Sequence, residues 1–427
     1  MLFILGFLIL QILVTFMLKD FIPAGEAYGI ILLLTSIIAI SLYLYRTLEK
    51  EWLLLIFGGF VIRVIVLFID LYVPSLPIFS SGTDTEYFHE ISIIIANGML
   101  PVSEGATAYV PFLSGLYYLI GDQRPFAQFL NVAFWVFAAV YLLKSLKYIG
   151  AEKKITFIVL LIFTLMPNSI FMSSILLRES IIIFFITISL YHFLKWFSER
   201  KFSDFLLAIG LALISMIFHS GMVGFVAAYI LTFIFLSRET IKKNFSHIFL
   251  YMLFFLVLSF LLFQNAELFL SKFVGLEERG GKVLEISGAG DSMYLSSFNG
   301  MSGAIVFLVA PIKMFFFLFS PLPLDWRGMG DIVSFLFDSS IYLFLTGAIV
   351  FGLWKSKMPL SNKIFILLFL ALTVVVYSYG TQSAGTAMRH RNKIIPLLLL
   401  AFAISNNKQL IKLNAMNWKE KKGEKIS

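Results

Sequence analysis

Residues 52–98 read WLLLIFGGFVIRVIVLFIDLYVPSLPIFSSGTDTEYFHEISIIIANG. The first 22 of them, 52–73, form an apolar run long enough for a bilayer core, which takes ~20 helical residues. The run ends at a proline-rich break. Ile78–Gly98 then carries the first cluster of acids in the chain, Asp84, Glu86 and Glu90. An apolar crossing followed at once by a polar, acid-bearing stretch is the pattern of a membrane-spanning protein whose chemistry sits at a membrane surface.

The rest of the chain repeats the first half of that pattern. Of its 427 residues, 59% are hydrophobic and only 14% charged, where a soluble domain carries roughly a quarter charged. Apolar runs at about 2–18, 28–45, 52–73, 125–143, 155–172, 179–197, 203–218, 221–237, 245–264, 333–354, 362–379 and 393–406 predict an all-α polytopic membrane protein. About twelve transmembrane helices (11–13) result, in one membrane domain over 1–406 with a basic tail over 407–427. The first run lacks a basic leader and a small-residue cleavage site, so it is expected to be a retained span. With no cysteine present, disulfides and thiolate metal sites are excluded.

The net charge of +8 is topology rather than nucleic-acid binding. With both termini cytoplasmic, most of the lysines and arginines fall in inner turns: Arg46 and Lys50; Lys144, Lys147, Lys153 and Lys154; Lys195, Arg200 and Lys201; Arg238, Lys242 and Lys243; Lys355, Lys357 and Lys363; and the tail. This is the positive-inside asymmetry, and it places the protein in the cytoplasmic membrane. Two outer segments follow, about 74–124 and 265–332. Residues 303–320, with Pro311 and Lys313 at the centre, are expected to re-enter or lie at the interface, because proline breaks the helical ladder and a mid-membrane lysine is costly. YVPFLSGLYYLIG, at 109–121, is short and better suited to the interface. No internal repeat is visible.

Polar chemistry is therefore confined to few places. Thr83–Glu86 has the spacing of a capping box, with Thr83 as N-cap, Glu86 reaching back and Gly98 as the stop; it would hold Asp84 in the first helical turn beside Tyr87 and His89. In MPNSIFMSSILLRES (166–180), Pro167 precedes a polar break, and Arg178–Glu179 opens the next span. That pair reads either as an ion pair snorkelling to the interface or as a second acid, Glu179, beside a phosphate-binding Arg178. His219 falls at an outer turn. In GTQSAGTAMRHRNK (380–393), Arg389, His390 and Arg391 form a basic cluster against the positive-inside trend, and arginine's planar fork suits phosphate oxygens. Arg63 and Asp70, seven residues apart on one helix face, predict a structural ion pair. GLEERGGKV (275–283) lacks the spacing and the Ser/Thr of a phosphate loop.

Together these features resemble the glycosyltransferase-C superfamily, membrane enzymes that use polyprenyl-phosphate-linked sugars. The residues carrying the resemblance are Asp84, the Ala96 and Gly98 spacing after it, Tyr109-Val110-Pro111, and the Pro167 to Glu179 turn. SPLPLDW (320–326) and AMRHRNKIIP (387–396) resemble O-antigen-type polysaccharide polymerases. The chain departs from many superfamily members in having two spans, not one, before the span that leads to the acid loop.

The resemblance implies an inverting transfer at the outer face, in cell-surface polysaccharide or glycoconjugate synthesis. A sugar or oligosaccharide would pass from a polyprenyl-phosphate or -pyrophosphate to a glycan acceptor. Asp84 and Glu179 would be the catalytic acids. Arg178, Arg389, Arg391, His219, Glu86, Tyr87, Lys313 and Arg327 would contact substrate. A divalent metal at Asp84 and Glu86 is the one cofactor the resemblance allows. Membrane lipids are the other expected partners; nucleic acid is not one. Two rivals stay open, a repeat-unit polymerase and, in another class, a transporter or flippase for lipid-linked saccharides. The latter predicts charges distributed through the spans.

Overall fold

The computed structural model describes residues 2–18, 26–73, 83–105, 107–241, 294, 308–381 and 383–407. The expected run at 245–264, nearly all of the 265–307 loop and the basic tail lie outside the described residues. Among the described residues every regular element is helical. In chain order these are α1 (Leu2–Leu18), α2 (Glu26–Thr47), α3 (Lys50–Tyr72), α4 (Thr83–Ala96), α5 (Tyr109–Ile120), α6 (Arg124–Tyr148), α7 (Lys153–Leu165), α8 (Pro167–Ser174), α9 (Glu179–Glu199), α10 (Phe202–Phe218) and α11 (Val223–Ile241). Then come α12 (Ala310–Phe319), α13 (Met329–Lys355, with a π-turn at Phe335–Ser339), α14 (Leu360–Tyr379), α15 (Ala384–Asn392) and α16 (Ile395–Asn406).

Part of the expected set of twelve crossings is seen as long apolar helices. Among the described residues six helices are long and apolar enough to cross a membrane, or seven if the α7–α8 pair, bent by 50°, is one span. The other expected runs that fall in described residues form apolar helices of 10–17 residues. Hydropathy counts apolar residues but not helical rise. Ile395–Asn406, at 12 residues, reaches only ~18 Å at 1.5 Å per residue, short of a ~30 Å core. The described part of the 303–320 run is a helix of ten residues, α12.

The chain divides into two compact units, residues 1–191 and 192–408. In the first, α6 is the core: 83% of its span is buried, against 39% for α2 and for α3. Helices α2, α3, α7 and α8 pack on α6, while α4 lies along α5. Gly59 lets α3 approach closely, since a Cβ there would come within 2.9 Å of the Trp135 ring and 3.1 Å of Thr164. Leucines and isoleucines such as Leu54 and Ile38 stay exposed, as lipid-facing residues do. Salt bridges from Lys147 to Glu49 (2.9 Å) and Lys153 to Glu51 (3.0 Å) join the α2–α3 and α6–α7 turns at one end of this unit.

The second unit pairs α10 with α11, α11 with α14, α12 with α14 and α15, and α13 with α16. Stacked rings fill its interior, among them Phe193 on Tyr229 and Phe205 on Phe233, each at 4.3 Å.

Candidate functional site

The α4 helix begins at Thr83 and ends in the Schellman pattern. The Met99 N–H donates to the Ile94 carbonyl and the Gly98 N–H to that of Ile95, with Gly98 at φ +72°. Glu86 is held by a long-range partner. Both of its oxygens accept from Arg124, at 2.8 Å from Nη1 and 2.7 Å from Nη2. A bidentate guanidinium is a stronger partner than a backbone N–H at a helix start. Arg124 holds the Glu86 carboxyl below the usual carboxylate range. Asp84 and Tyr87 are exposed on α4. His89 is half-buried: its Nδ1 lies 2.9 Å from the Tyr117 hydroxyl and its Nε2 3.6 Å from Asp122. Burial lowers the His89 pKa against the opposing pull of Asp122.

One face of α6 organises this end of the unit. Arg124, Gln128 and Asn131 recur at spacings of four and three, which on a helix is a single stripe. Arg124 Nε donates to Gln128 Oε1 (3.0 Å), while Gln128 Nε2 donates to Asp70 Oδ2 (2.9 Å) and to the Ser174 carbonyl (3.1 Å). Asn131 Nδ2 donates to the Ile175 carbonyl (2.7 Å) and to the Tyr109 hydroxyl (3.3 Å). The linker thus suspended leads directly to Arg178, half-buried, and Glu179, fully buried as the first residue of α9.

The expected Arg63–Asp70 pair gives way to a different arrangement. Arg63 is fully buried, donating to Thr164 O (2.8 Å), Gly59 O (3.0 Å), Ser173 Oγ (2.7 Å) and Ser169 Oγ (3.4 Å), with its guanidinium 3.5 Å over the Trp135 ring. Pro167 breaks the helix between α7 and α8 and leaves carbonyls without their helical donors; Arg63 supplies one. Asp70 turns instead to Gln128.

The remaining expected site residues lie in the second unit. Arg391 is fully buried. It is bound to Asp338, to the carbonyls of Leu318 (3.0 Å) and Ser320, 2.6 Å away, and to Ser339 Oγ (3.0 Å). A guanidinium so occupied joins α15 to α12 and α13, and phosphate recognition is not the task its geometry serves. Arg327 gives its fork to Asp331 on the surface. Lys313 is buried near the Tyr379 ring, at 5.1 Å. Arg389 lies in the last turn of α15 beside His390.

His219 is buried, under the Tyr377 ring. Its Nδ1 accepts from the Gly221 N–H (3.0 Å) and its Nε2 lies 3.3 Å from His390 Nε2, whose Nδ1 is 2.8 Å from Thr381 Oγ1. Because the Gly221 N–H can only donate, neutral His219 carries its proton on Nε2, and His390 carries its own on Nδ1. The chain of hydrogen bonds then runs one way to Thr381.

Reading polar residues by outer loop singled out Asp84, Glu86 and Glu179 and passed over Arg124, Gln128, Asn131 and Asp338. The four-and-three spacing on α6 was the available signal for the first three. Among the described residues no group of three or more His, Asp or Glu is placed to hold a metal ion.

Residues 111–273 match the family described as dolichyl-phosphate-mannose-protein mannosyltransferase. The match begins inside α5 and takes in α6 through α11, and so Arg124, Gln128, Arg178 and Glu179, but not Asp84. No curated protein and no solved structure matches the chain. By this match the chain is a multi-pass membrane glycosyltransferase that draws on a polyprenyl-phosphate-linked sugar.

Proposed function

We propose that the chain transfers a sugar or oligosaccharide from a polyprenyl-phosphate or -pyrophosphate carrier to a glycan hydroxyl at the outer face, in cell-surface polysaccharide or glycoconjugate synthesis, with Asp84 as general base. The observation that carries this reading is the arrangement at one end of the first unit. An exposed carboxylate, Asp84, stands two residues from a carboxylate clamped by Arg124, on a helix whose stop is fixed by Gly98. The opposite end of the unit carries the lysine-rich turns expected on the cytoplasmic side.

In the proposed step Asp84 takes the proton of the acceptor hydroxyl as its oxygen bonds to the anomeric carbon. The bond from that carbon to the phosphate oxygen breaks, and the phosphate leaves with the electron pair. An attack opposite the leaving group inverts the centre. Arg178, at the turn into α9, is the candidate cation for the charge that develops on the leaving oxygen. Glu179 is the second acid of the site; its full burial makes it a lesser choice than Asp84 for a proton acceptor that the substrate must reach.

The test uses purified protein in nanodiscs with a panel of polyprenyl-phosphate and -pyrophosphate sugars, following release of the lipid carrier. Wild type is expected to release carrier, and Asp84→Asn to do so at least ~100-fold more slowly, the usual contribution of a general base. The product's size would separate repeat-unit polymerisation from single transfer. Movement of labelled lipid between leaflets with no carrier release would overturn the enzyme reading in favour of a flippase.

A further inference from the structure

Gln128 is a fully buried primary amide in a helix that is otherwise mostly apolar at that depth. Burying such a group costs several kcal/mol unless its hydrogen bonds are met, and a leucine would carry no such requirement. Here both of its polar groups are engaged: the carbonyl oxygen accepts from Arg124 Nε, and the amide hydrogens go to Asp70 Oδ2 and the Ser174 carbonyl. This set also fixes the amide's orientation, because the flipped form would point an oxygen at two acceptors and a donor at a donor.

The partners belong to different elements. Asp70 ends α3. Ser174 ends α8 and starts the short linker to Arg178–Glu179. Arg124 passes the connection to Glu86 and hence to α4, two residues from Asp84. One side chain therefore touches, directly or through one neighbour, both segments that carry the acids. One turn further along α6, Asn131 repeats the contact on the next carbonyl, Ile175.

We infer that Gln128 is a positioning residue for the glycosyl transfer, setting the acid-bearing start of α4 against the Arg178–Glu179 turn. This rests on the function proposed above. A displacement of ~1 Å between reacting groups can cost ~10²-fold in rate, which gives such an amide a catalytic consequence without any contact with substrate.

The test compares kcat with KM. Gln128→Glu keeps size but turns both amide donors into acceptors facing Asp70 and the Ser174 carbonyl. Its kcat is expected to fall ~10²-fold, the cost of such a misplacement, with KM for the donor within about twofold of wild type. Combining it with Asp70→Asn restores a donor–acceptor pair with the roles reversed, and should recover about tenfold of the lost kcat, part of the same effect. Gln128→Met, close in volume and with no polar group to leave unmet, covers the case where Gln128→Glu fails to fold, and should show the same kcat loss. If wild type is inactive on every donor, the functional reading itself fails. If wild type is active and Gln128→Met keeps kcat within twofold while only its melting temperature drops, the residue is structural and this inference is overturned. A loss in KM alone, or no rescue by Asp70→Asn, would also overturn it.

Discussion

At the residue scale, ionisable side chains in this protein are defined by what they are already bound to. Arg391 and Arg124 have the same fork, yet one is sealed against Asp338 and main-chain carbonyls while the other holds Glu86 at a half-exposed surface. The α4 environment predicts a pH dependence. Arg124 depresses the Glu86 pKa, and burial depresses that of His89. A depressed group contributes stability that is complete above its unfolded value and lost as pH falls through its folded one. Both groups therefore push the same way. Thermal stability should be flat above about pH 6.5, decline below it as His89 is forced to protonate, and decline again below about pH 4.3, the ordinary values for histidine and glutamate. Melting curves in detergent across pH 4–8 would check this, with His89→Gln expected to remove the upper step. A melting temperature that rises between pH 7 and pH 5 would contradict the assignment. Glu86 is too exposed for its pair to carry much of the total.

At the scale of elements, the decisive feature is a broken helix and its splint. The sequence announced both parts, Pro167 and an arginine in the middle of a span, but local pattern could not join them. Seven residues along the same helix stood Asp70, the nearest acid, and helical periodicity offered it as partner. Arg63 instead crosses to a helix a hundred residues away, because a carbonyl beside a proline break has lost its usual donor and a guanidinium, with five N–H donors, serves several acceptors at once. The same limit applies on α6, where the stripe of Arg124, Gln128 and Asn131 was visible as spacing and its partners were not. Long apolar helices such as α2, α3, α6 and α14 were legible outright. For the shorter ones the sequence showed the apolar character but not the length of the helix, since a twelve-residue and a twenty-residue helix can share one mean hydropathy. Arg63→Met should leave the Thr164 carbonyl and two serine hydroxyls without that donor, and cost about 2–4 kcal/mol from hydrogen bonds to a charged group. Denaturation in mild detergent would measure it; a variant as stable as wild type would show that the break at Pro167 needs no splint.

For the whole molecule, the proposal depends on which end of the first unit meets the cytoplasm. The Glu49–Lys147 and Glu51–Lys153 pairs mark one end of α3 and α6; Asp70, Gln128 and the Arg124–Glu86 pair mark the other. With α3 at 23 residues, the ends stand ~35 Å apart at 1.5 Å per residue, about the thickness of a bilayer core. Lysine-rich turns favour the cytoplasmic side, which would place the acids outside, where no nucleotide sugar is available and a lipid-linked donor is the chemistry to expect. The absence of cysteine makes this directly measurable, since any thiol introduced is the only one present. In right-side-out vesicles a membrane-impermeant maleimide should label Asp122→Cys at once and Lys147→Cys only after permeabilisation; both side chains are about half exposed, so access to the residue itself is equal. The reverse labelling pattern would put Asp84 in the cytoplasm and remove the reason for preferring a lipid carrier on grounds of location. The carrier would then have to be argued from the family match alone, and the acceptor sought among cytoplasmic glycans.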